Sequence, residues 1–362
     1  MLIDLICGAR PNFIKIAPIV KELKKNRINK FRIIHTGQHY NTNMSKFFFD
    51  ELQIPKPNFN LNVKSGTHSK QTSKIMNRYE EIILKKKPDL CIVVGDVNST
   101  MACAIVAKKN NIKLAHVEAG LRSGDLTMPE EINRIVTDSL SDIFFTTSID
   151  ANKNLIKEGK KEKNIYFVGN TMIDTLINFK NKFKKPHIYK RYNLSKNSYF
   201  ILTLHRPSNV DNKKNLMILI NEISNSCKNS KIIFPVHPRL HEVFKNQSLI
   251  NDNIILTKPL SYLNFLYLIN NAKGVITDSG GLTEETTYLK IPCITLRSTT
   301  ERPETISLGT NVLAGNNIIK INQYINKITL NTWKKSSIPK KWDGKTSNRI
   351  VKIINSLKKN DQ

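Results

Sequence analysis

Pro88-Asp-Leu-Cys-Ile-Val-Val-Gly-Asp-Val-Asn-Ser-Thr100 is the stretch on which the fold turns. Residues 90–94 are only Leu, Cys, Ile and Val. A run that short, apolar on both sides of the pleat and bounded by Pro and Gly, reads as a strand buried on both faces, the type found in parallel sheets. A polar burst follows at once. A helix is expected over 99–109 and another strand over 114–118. Outward from there the alternation continues. Strands are expected at 2–7, 31–36 and 143–146, with helices at 13–25, 45–52, 69–86 and 130–140. The second half repeats it. Strands are expected at 199–204, 231–235, 254–257 and 274–277, with 293–296 closing the set, and helices at 214–225, 262–271 and 281–289. From residue 319 onward the pattern is helical, with an ordered turn at Trp342-Asp-Gly-Lys345.

The fold class that follows is α/β, with two Rossmann-like, doubly wound domains facing a cleft and ligands at the carboxyl ends of the strands. The expected boundaries are 1–172, 173–345 and a final helix, 346–362, packing back on the first domain. Lysine-rich 178–190 reads as the linker. At about 150 residues per domain, a chain of 362 residues has room for two cores.

Composition narrows the function classes. Hydrophobic residues are 40 % and charged residues 24 %, which is ordinary for a globular protein and wrong for a disordered one. No apolar run approaches the ~18–20 residues that span a bilayer, and the opening Met1–Gly8 has no basic n-region, so a soluble cytoplasmic protein is expected, with no membrane partner. Five cysteines without a CxxC spacing suggest neither a disulfide framework nor a zinc site. The net charge of +28 raises the question of nucleic acid, but the lysines are spread along the chain. A solvated surface is the reading adopted, with no nucleic-acid partner.

Five constellations carry chemistry. Gly8-Ala-Arg-Pro-Asn-Phe-Ile-Lys15 puts a glycine turn, Arg10 and Lys15 at a helix N-terminus, which suits a phosphate or carboxylate. The plain alternative is a turn with two surface cations, and the absence of GxGxxG argues against a nicotinamide fingerprint. Asp96 follows a buried strand, as a functional group or as a helix cap. Glu118, in His116-Val-Glu-Ala-Gly-Leu-Arg122, ends another. Glu130 and Glu131, in Pro129-Glu-Glu-Ile-Asn-Arg134, open a helix. Carboxylates and arginines this close shift one another's pKa, which is how a neutral-pH acid or base is made. Against this, first-turn acids are favoured by the helix dipole, and Glu131 with Arg134 makes an ordinary i,i+3 pair.

His205, in Leu202-Thr-Leu-His-Arg-Pro207, sits where a strand ends and is either a phosphate or proton-handling group or a hydrogen-bonded loop histidine. His237-Pro-Arg239 repeats the arrangement one strand later. Thr277-Asp-Ser-Gly-Gly-Leu-Thr-Glu-Glu285 gives a strand, a Ser-Gly-Gly nest of N–H donors and a helix, with Glu285 a turn further on, in reach of hydroxyls beside a phosphate. A tight strand-to-helix turn would also explain the glycines. Arg302 follows the next strand.

These residues resemble the non-hydrolysing UDP-N-acetylglucosamine 2-epimerase family. The matching stretches run in order from GARPNFIKIAP (8–18) through VVGDVNST, HVEAGLRS, MPEEINR, LTLHRP, HPR and TDSGGLTEE to TTERPE (299–304), with WDGK (342–345) near the end. The resemblance implies a fold like the GT-B glycosyltransferases, with the nucleotide held mostly by the second domain. It puts Ser279, Gly280 and Gly281 on the diphosphate with Arg10 and His205 nearby, Glu285 on the ribose, Leu260 and Phe265 by the uracil, and Arg302 in the same site. Asp96, Glu118 and Glu130 would face the sugar as acid/base groups, supported by Lys15 and Arg134, with His205 counted among the catalytic residues.

The reaction implied converts UDP-GlcNAc to UDP-ManNAc without a cofactor or metal, by eliminating UDP to a 2-acetamidoglucal and adding it back. A homodimer and a product for cell-surface polysaccharide, such as capsule or O-antigen, are implied as well. The segment between Asp125 and Pro129 is shorter than in the best-known members, a form that also occurs in epimerases of modified UDP-sugars. A UDP-sugar-dependent glycosyltransferase of the same fold, a hydrolysing relative and a polyanion-binding protein are the competing readings.

Overall fold

The computed structural model describes residues 1–38, 48–236, 240, 243–244 and 251–360. The chain divides into two compact units, 1–178 with 340–362, and 179–339.

The first unit is built on a seven-stranded sheet of β1 (Leu2–Cys7), β2 (Lys30–His35), β3 (Phe59–Asn60), β4 (Leu90–Val94), β5 (Lys113–Val117), β6 (Ile143–Thr146) and β7 (Ile165–Phe167). The spatial order is β3-β2-β1-β4-β5-β6-β7 and every pairing is parallel. The second unit has a six-stranded sheet of β8 (Tyr199–Thr203), β9 (Lys231–Pro235), β10 (Ile254–Thr257), β11 (Gly274–Thr277), β12 (Cys293–Thr295) and β13 (Asn311–Leu313), ordered β10-β9-β8-β11-β12-β13 and again parallel. Strand order reverses between β1 and β4 in one unit and between β8 and β11 in the other. Such switch points leave a crevice at the carboxyl ends of the strands, because the neighbouring connections leave to opposite faces.

Central strands behave as the apolar runs demand: all five residues of β4 are buried. Helices cover them, and each unit has its own apolar core, around Ile75, Tyr79, Val93 and Leu114 in the first and Phe200, Ile220, Phe234 and Ile325 in the second.

Three short strands, β3, β7 and β13, were not expected from sequence, so the set does not close at 296. All three are edges of their sheets and have only two or three residues each; with so few positions the alternation carries no signal. The helix Ile149–Lys157 was likewise missed. The expected helix at 45–52 falls partly outside the described residues; 48–51 are helical. Residues 178–190, read as the linker, take in the end of the helix Thr171–Phe179, a 3₁₀ turn at Lys180–Lys182 and the first residues of the helix His187–Arg191.

The chain leaves the first unit after Asn178 and re-enters it at Lys340. Buried Asp174 shows why the Thr171–Phe179 helix and the 342–345 turn stay with that unit. Its carboxylate accepts the N–H groups of Thr346 at 3.1 Å and Ser347 at 2.7 Å, at the start of the helix Thr346–Asn360. That helix lies against the helix Arg10–Asn26, with Asn29 donating to Asn355 at 2.7 Å.

Candidate active site

In the first unit the sequence candidates collect at the carboxyl ends of β1, β4 and β5. The turn after β1 is held by Asn12, whose side-chain oxygen accepts the N–H groups of Gly8 at 3.1 Å and Ala9 at 3.0 Å, while its amide donates to the Val94 carbonyl at 2.8 Å. Gly8 is required by packing: a Cβ there would meet the Ser99 hydroxyl at 2.0 Å and the Thr36 hydroxyl at 2.5 Å. The helix Arg10–Asn26 then turns Lys15 inward. Its Nζ lies 2.5 Å from Glu118 Oε2, and both side chains are buried. Arg10 sits at the mouth of this turn with its guanidinium 4.7 Å over the Phe48 ring.

Glu118 is the first residue beyond β5, not its last, and it has a φ of +73°. Left-handed backbone at a residue other than Gly costs roughly 1–3 kcal/mol and persists only where the surroundings over-determine it. Here the Glu118 and Ala119 N–H groups both donate to the Phe145 carbonyl, at 3.0 and 3.2 Å. Opposite stands Gly95, φ +69°, where a Cβ would come within 3.0 Å of Lys15 Nζ. Only a residue without a side chain leaves the Lys15–Glu118 pair its room.

Asp96, next in the chain, pairs with Arg134 Nη1 at 2.5 Å and is the more open of the two ionic groups. Arg134 in turn holds Glu131, with Nη2 at 2.6 Å from Oε2. Glu131 also accepts the N–H groups of Ser123 and Gly124. Burial alone would raise its carboxyl, but those N–H groups and Arg134 more than offset this and hold it below the usual range. The i,i+3 pair considered as a surface contact is therefore a buried one that shapes the 121–128 loop. Glu130, the sequence candidate, is exposed on the first turn of the helix Pro129–Leu140. Asn133 adds a link that sequence reasoning did not single out, donating to the Asp96 carbonyl at 2.8 Å.

In the second unit the candidates lie at the ends of β8, β11 and β12. Asp278 is the hub. Fully buried, it accepts His205 Nδ1 at 2.7 Å, the backbone N–H groups of His205 and Arg206, and the Asn209 amide at 3.2 Å. Burial pushes its carboxyl up, and His205 with those backbone donors brings it below the usual range. Asp278 was quoted only as part of its motif; a carboxylate directly after a buried strand was the signal for it. His205 itself is 44 % exposed.

Ser279 precedes the helix Gly280–Leu289, and Ser279, Gly280 and Gly281 are all partly open. Gly280 is also required beneath, since a Cβ would meet Glu301 Oε1 at 2.5 Å. Glu285 is buried and accepts the Tyr262 hydroxyl at 2.8 Å. Leu260 and Phe265 are half-buried, before and on the helix Tyr262–Asn271. Arg302 is buried, with Glu284 at 2.5 Å and Glu301 at 2.7 Å. His237-Pro-Arg239 lies outside the described residues. No group of three or more His, Cys, Asp or Glu able to hold a metal ion occurs among the described residues, and no described helix is long and apolar enough to cross a membrane.

The family model for UDP-N-acetylglucosamine 2-epimerase matches residues 21–355. This chain belongs to that family. The family's enzymes are isomerases on a GT-B-like fold, and the two parallel sheets described above are that architecture. A UDP-N-acetylglucosamine 2-epimerase homolog of Methanococcus maripaludis is 46 % identical, over 99 % of this chain and 100 % of its own. The Methanocaldococcus jannaschii UDP-GlcNAc 2-epimerase, whose crystal structure holds UDP-GlcNAc and UDP, superposes with a TM-score of 0.89 at 44 % identity, covering 98 % of this chain and 100 % of that one. A UDP-2,3-diacetamido-2,3-dideoxy-D-glucuronate 2-epimerase of Pseudomonas aeruginosa is 39 % identical, over 87 % of this chain and 88 % of its own.

Proposed function

We propose that this enzyme inverts C2 of UDP-GlcNAc to give UDP-ManNAc without hydrolysis, by elimination and re-addition of UDP. The observation that carries the reading is the pairing of Lys15 with Glu118 and of Arg134 with Asp96 at the carboxyl ends of adjacent strands β4 and β5. C2 of this sugar has no adjoining carbonyl, so its hydrogen is not acidic, and two carboxylates with paired cations suit its removal only if a leaving group departs in concert.

A carboxylate among Asp96, Glu118 and Glu130 takes H2, the C2–H electron pair becomes the C1=C2 bond, and the C1–O pair leaves with UDP. Returning a proton to the opposite face of C2, with UDP re-joining C1, completes the inversion. His205 and the Ser279-Gly280-Gly281 N–H groups meet the diphosphate as its charge develops, and Arg10 in the first unit is a guanidinium suited to the same kind of anion. Glu285 takes the ribose hydroxyls, Leu260 and Phe265 flank the uracil, and Arg302 braces the same region through Glu284 and Glu301. The chemistry asks for no cofactor.

Proton NMR of UDP-GlcNAc with the enzyme in deuterated water tests this. Deuterium at C2 and a UDP-ManNAc signal are expected; unchanged substrate, or free sugar and UDP as final products, overturns it. The Pseudomonas relative supports a second reading, in which the sugar is a modified 2-acetamido sugar, and the same assay with that substrate separates them. A homodimer is proposed from the exposed Ile132 and Ile135 and half-buried Val136, which make one apolar face on the helix Pro129–Leu140. A monomer by light scattering at assay concentration would refute it. A nucleotide-sugar substrate fits a cytoplasmic site of action.

A further inference from the structure

His116 and Asp138 have no part in the roles given above. His116 is the last residue but one of β5, Asp138 lies on the helix Pro129–Leu140, and neither is exposed at all. His116 Nδ1 is 2.7 Å from Asp138 Oδ1, and Nε2 is 2.9 Å from the Gly95 carbonyl oxygen. A carbonyl only accepts, so Nε2 carries a hydrogen. Asp138 accepts too: its Oδ2 takes the Gly120 N–H at 3.0 Å and Arg122 Nη1 at 2.7 Å. Burial would raise the Asp138 carboxyl, but the His116 charge, Arg122 and the Gly120 N–H bring it below the usual carboxylate range. Asp138 Oδ1 and the Gly95 carbonyl are both acceptors, so the geometry sets each ring nitrogen against a group it can donate to.

Each end of this clamp grips the backbone next to a proposed acid/base group. Gly95 is held twice by β5, through its N–H to the Val117 carbonyl at 3.0 Å and through its carbonyl by His116, and Asp96 follows it. Gly120, two residues after Glu118, is held by Asp138. We infer that His116 is a positioning residue which, clamped between Asp138 and the Gly95 carbonyl, sets the relative placement of the Asp96 and Glu118 carboxylates. The consequence for catalysis rests on the epimerase reading above; the geometry of the clamp does not.

Two substitutions divide the clamp. His116→Gln keeps a donor where Nε2 meets Gly95, and His116→Asn keeps one where Nδ1 meets Asp138 but releases Gly95. In His116→Asn, kcat for C2 exchange falls about a hundredfold while KM and the dissociation constant of UDP stay within about twofold. His116→Gln recovers about tenfold of that loss. Wild-type kcat in His116→Asn, or equal losses in both variants that follow their melting temperatures, overturns the inference. If neither variant folds, nitrogen-15 NMR of the ring in the wild-type protein at neutral pH decides: two protonated nitrogens uphold the clamp, and a single-proton tautomer ends it. Wild-type enzyme that exchanges no C2 hydrogen would instead count against the epimerase reading, leaving the ring measurement to stand alone.

Discussion

Two of the described histidines, one per unit, sit 2.7 Å from an aspartate, and their surroundings differ in one respect that decides what each can do. His116 and Asp138 are both fully buried, and the ring's second nitrogen is spent on a backbone carbonyl. His205 rests on an equally buried Asp278, but its own side chain is 44 % exposed. A buried pair with both ring nitrogens and both carboxylate oxygens engaged holds backbone in place and exchanges nothing. A histidine oriented from beneath by a carboxylate and open above can meet a ligand and pass a proton.

The comparison breaks most visibly in stability. Asp138→Ala leaves the buried His116 ring and the Gly120 N–H without their acceptor, while Arg122 keeps Glu158, and is expected to cost about 3–5 kcal/mol. Asp278→Ala strands two backbone N–H groups but leaves a histidine that can turn to water, for about 1–3 kcal/mol. Urea unfolding of the two variants measures the difference, and equal losses would erase the distinction.

Activity should show the reverse order. His205→Gln is expected to lower kcat for C2 exchange about a hundredfold with no change in unfolding midpoint, as removal of one donor to developing charge does elsewhere. A variant that unfolds early and works normally would assign His205 to the fold. Gly95→Ala sharpens the first-unit side, since it strains a positive φ and crowds Lys15 Nζ. It is expected to cost about 1 kcal/mol and to lower kcat more than it raises KM.

The smallest effect is in acid. Asp138 and Asp278 both have folded pKa values below their unfolded ones. Their stabilisation is therefore complete above the unfolded carboxylate range and is lost as pH falls through the lower folded values. Unfolding midpoints measured below about pH 4 should drop less steeply in Asp138→Asn and Asp278→Asn than in wild type. Parallel curves would count against both ion pairs.

Much of this was open to reading before any coordinates. β4 and β11 were expected within their observed bounds because an apolar run between Pro, Gly or Asp has only one comfortable place, the middle of a covered parallel sheet. Asp96, Glu118, His205 and Ser279 were singled out because polar residues directly after such strands stand where doubly wound folds open. Glu131 was weighed as a surface pair with Arg134, and the structure buries it; the i,i+3 spacing is the same in either case, so burial was the missing fact. β13 and β7 were missed because three residues carry no periodicity.

The order of chemistry along the chain, strand then polar turn then helix, is local, and the amino-acid sequence determined it together with the family it marks. Which histidine would be sealed and which left open was decided elsewhere. Sealing depends on the Gly95 carbonyl and Asp138, 21 and 22 residues from His116, and openness depends on Asp278, 73 residues beyond His205. Those distances in sequence close only when the sheets assemble, and solvent exposure, which separates a clamp from a reactive group, has no local signature in the chain.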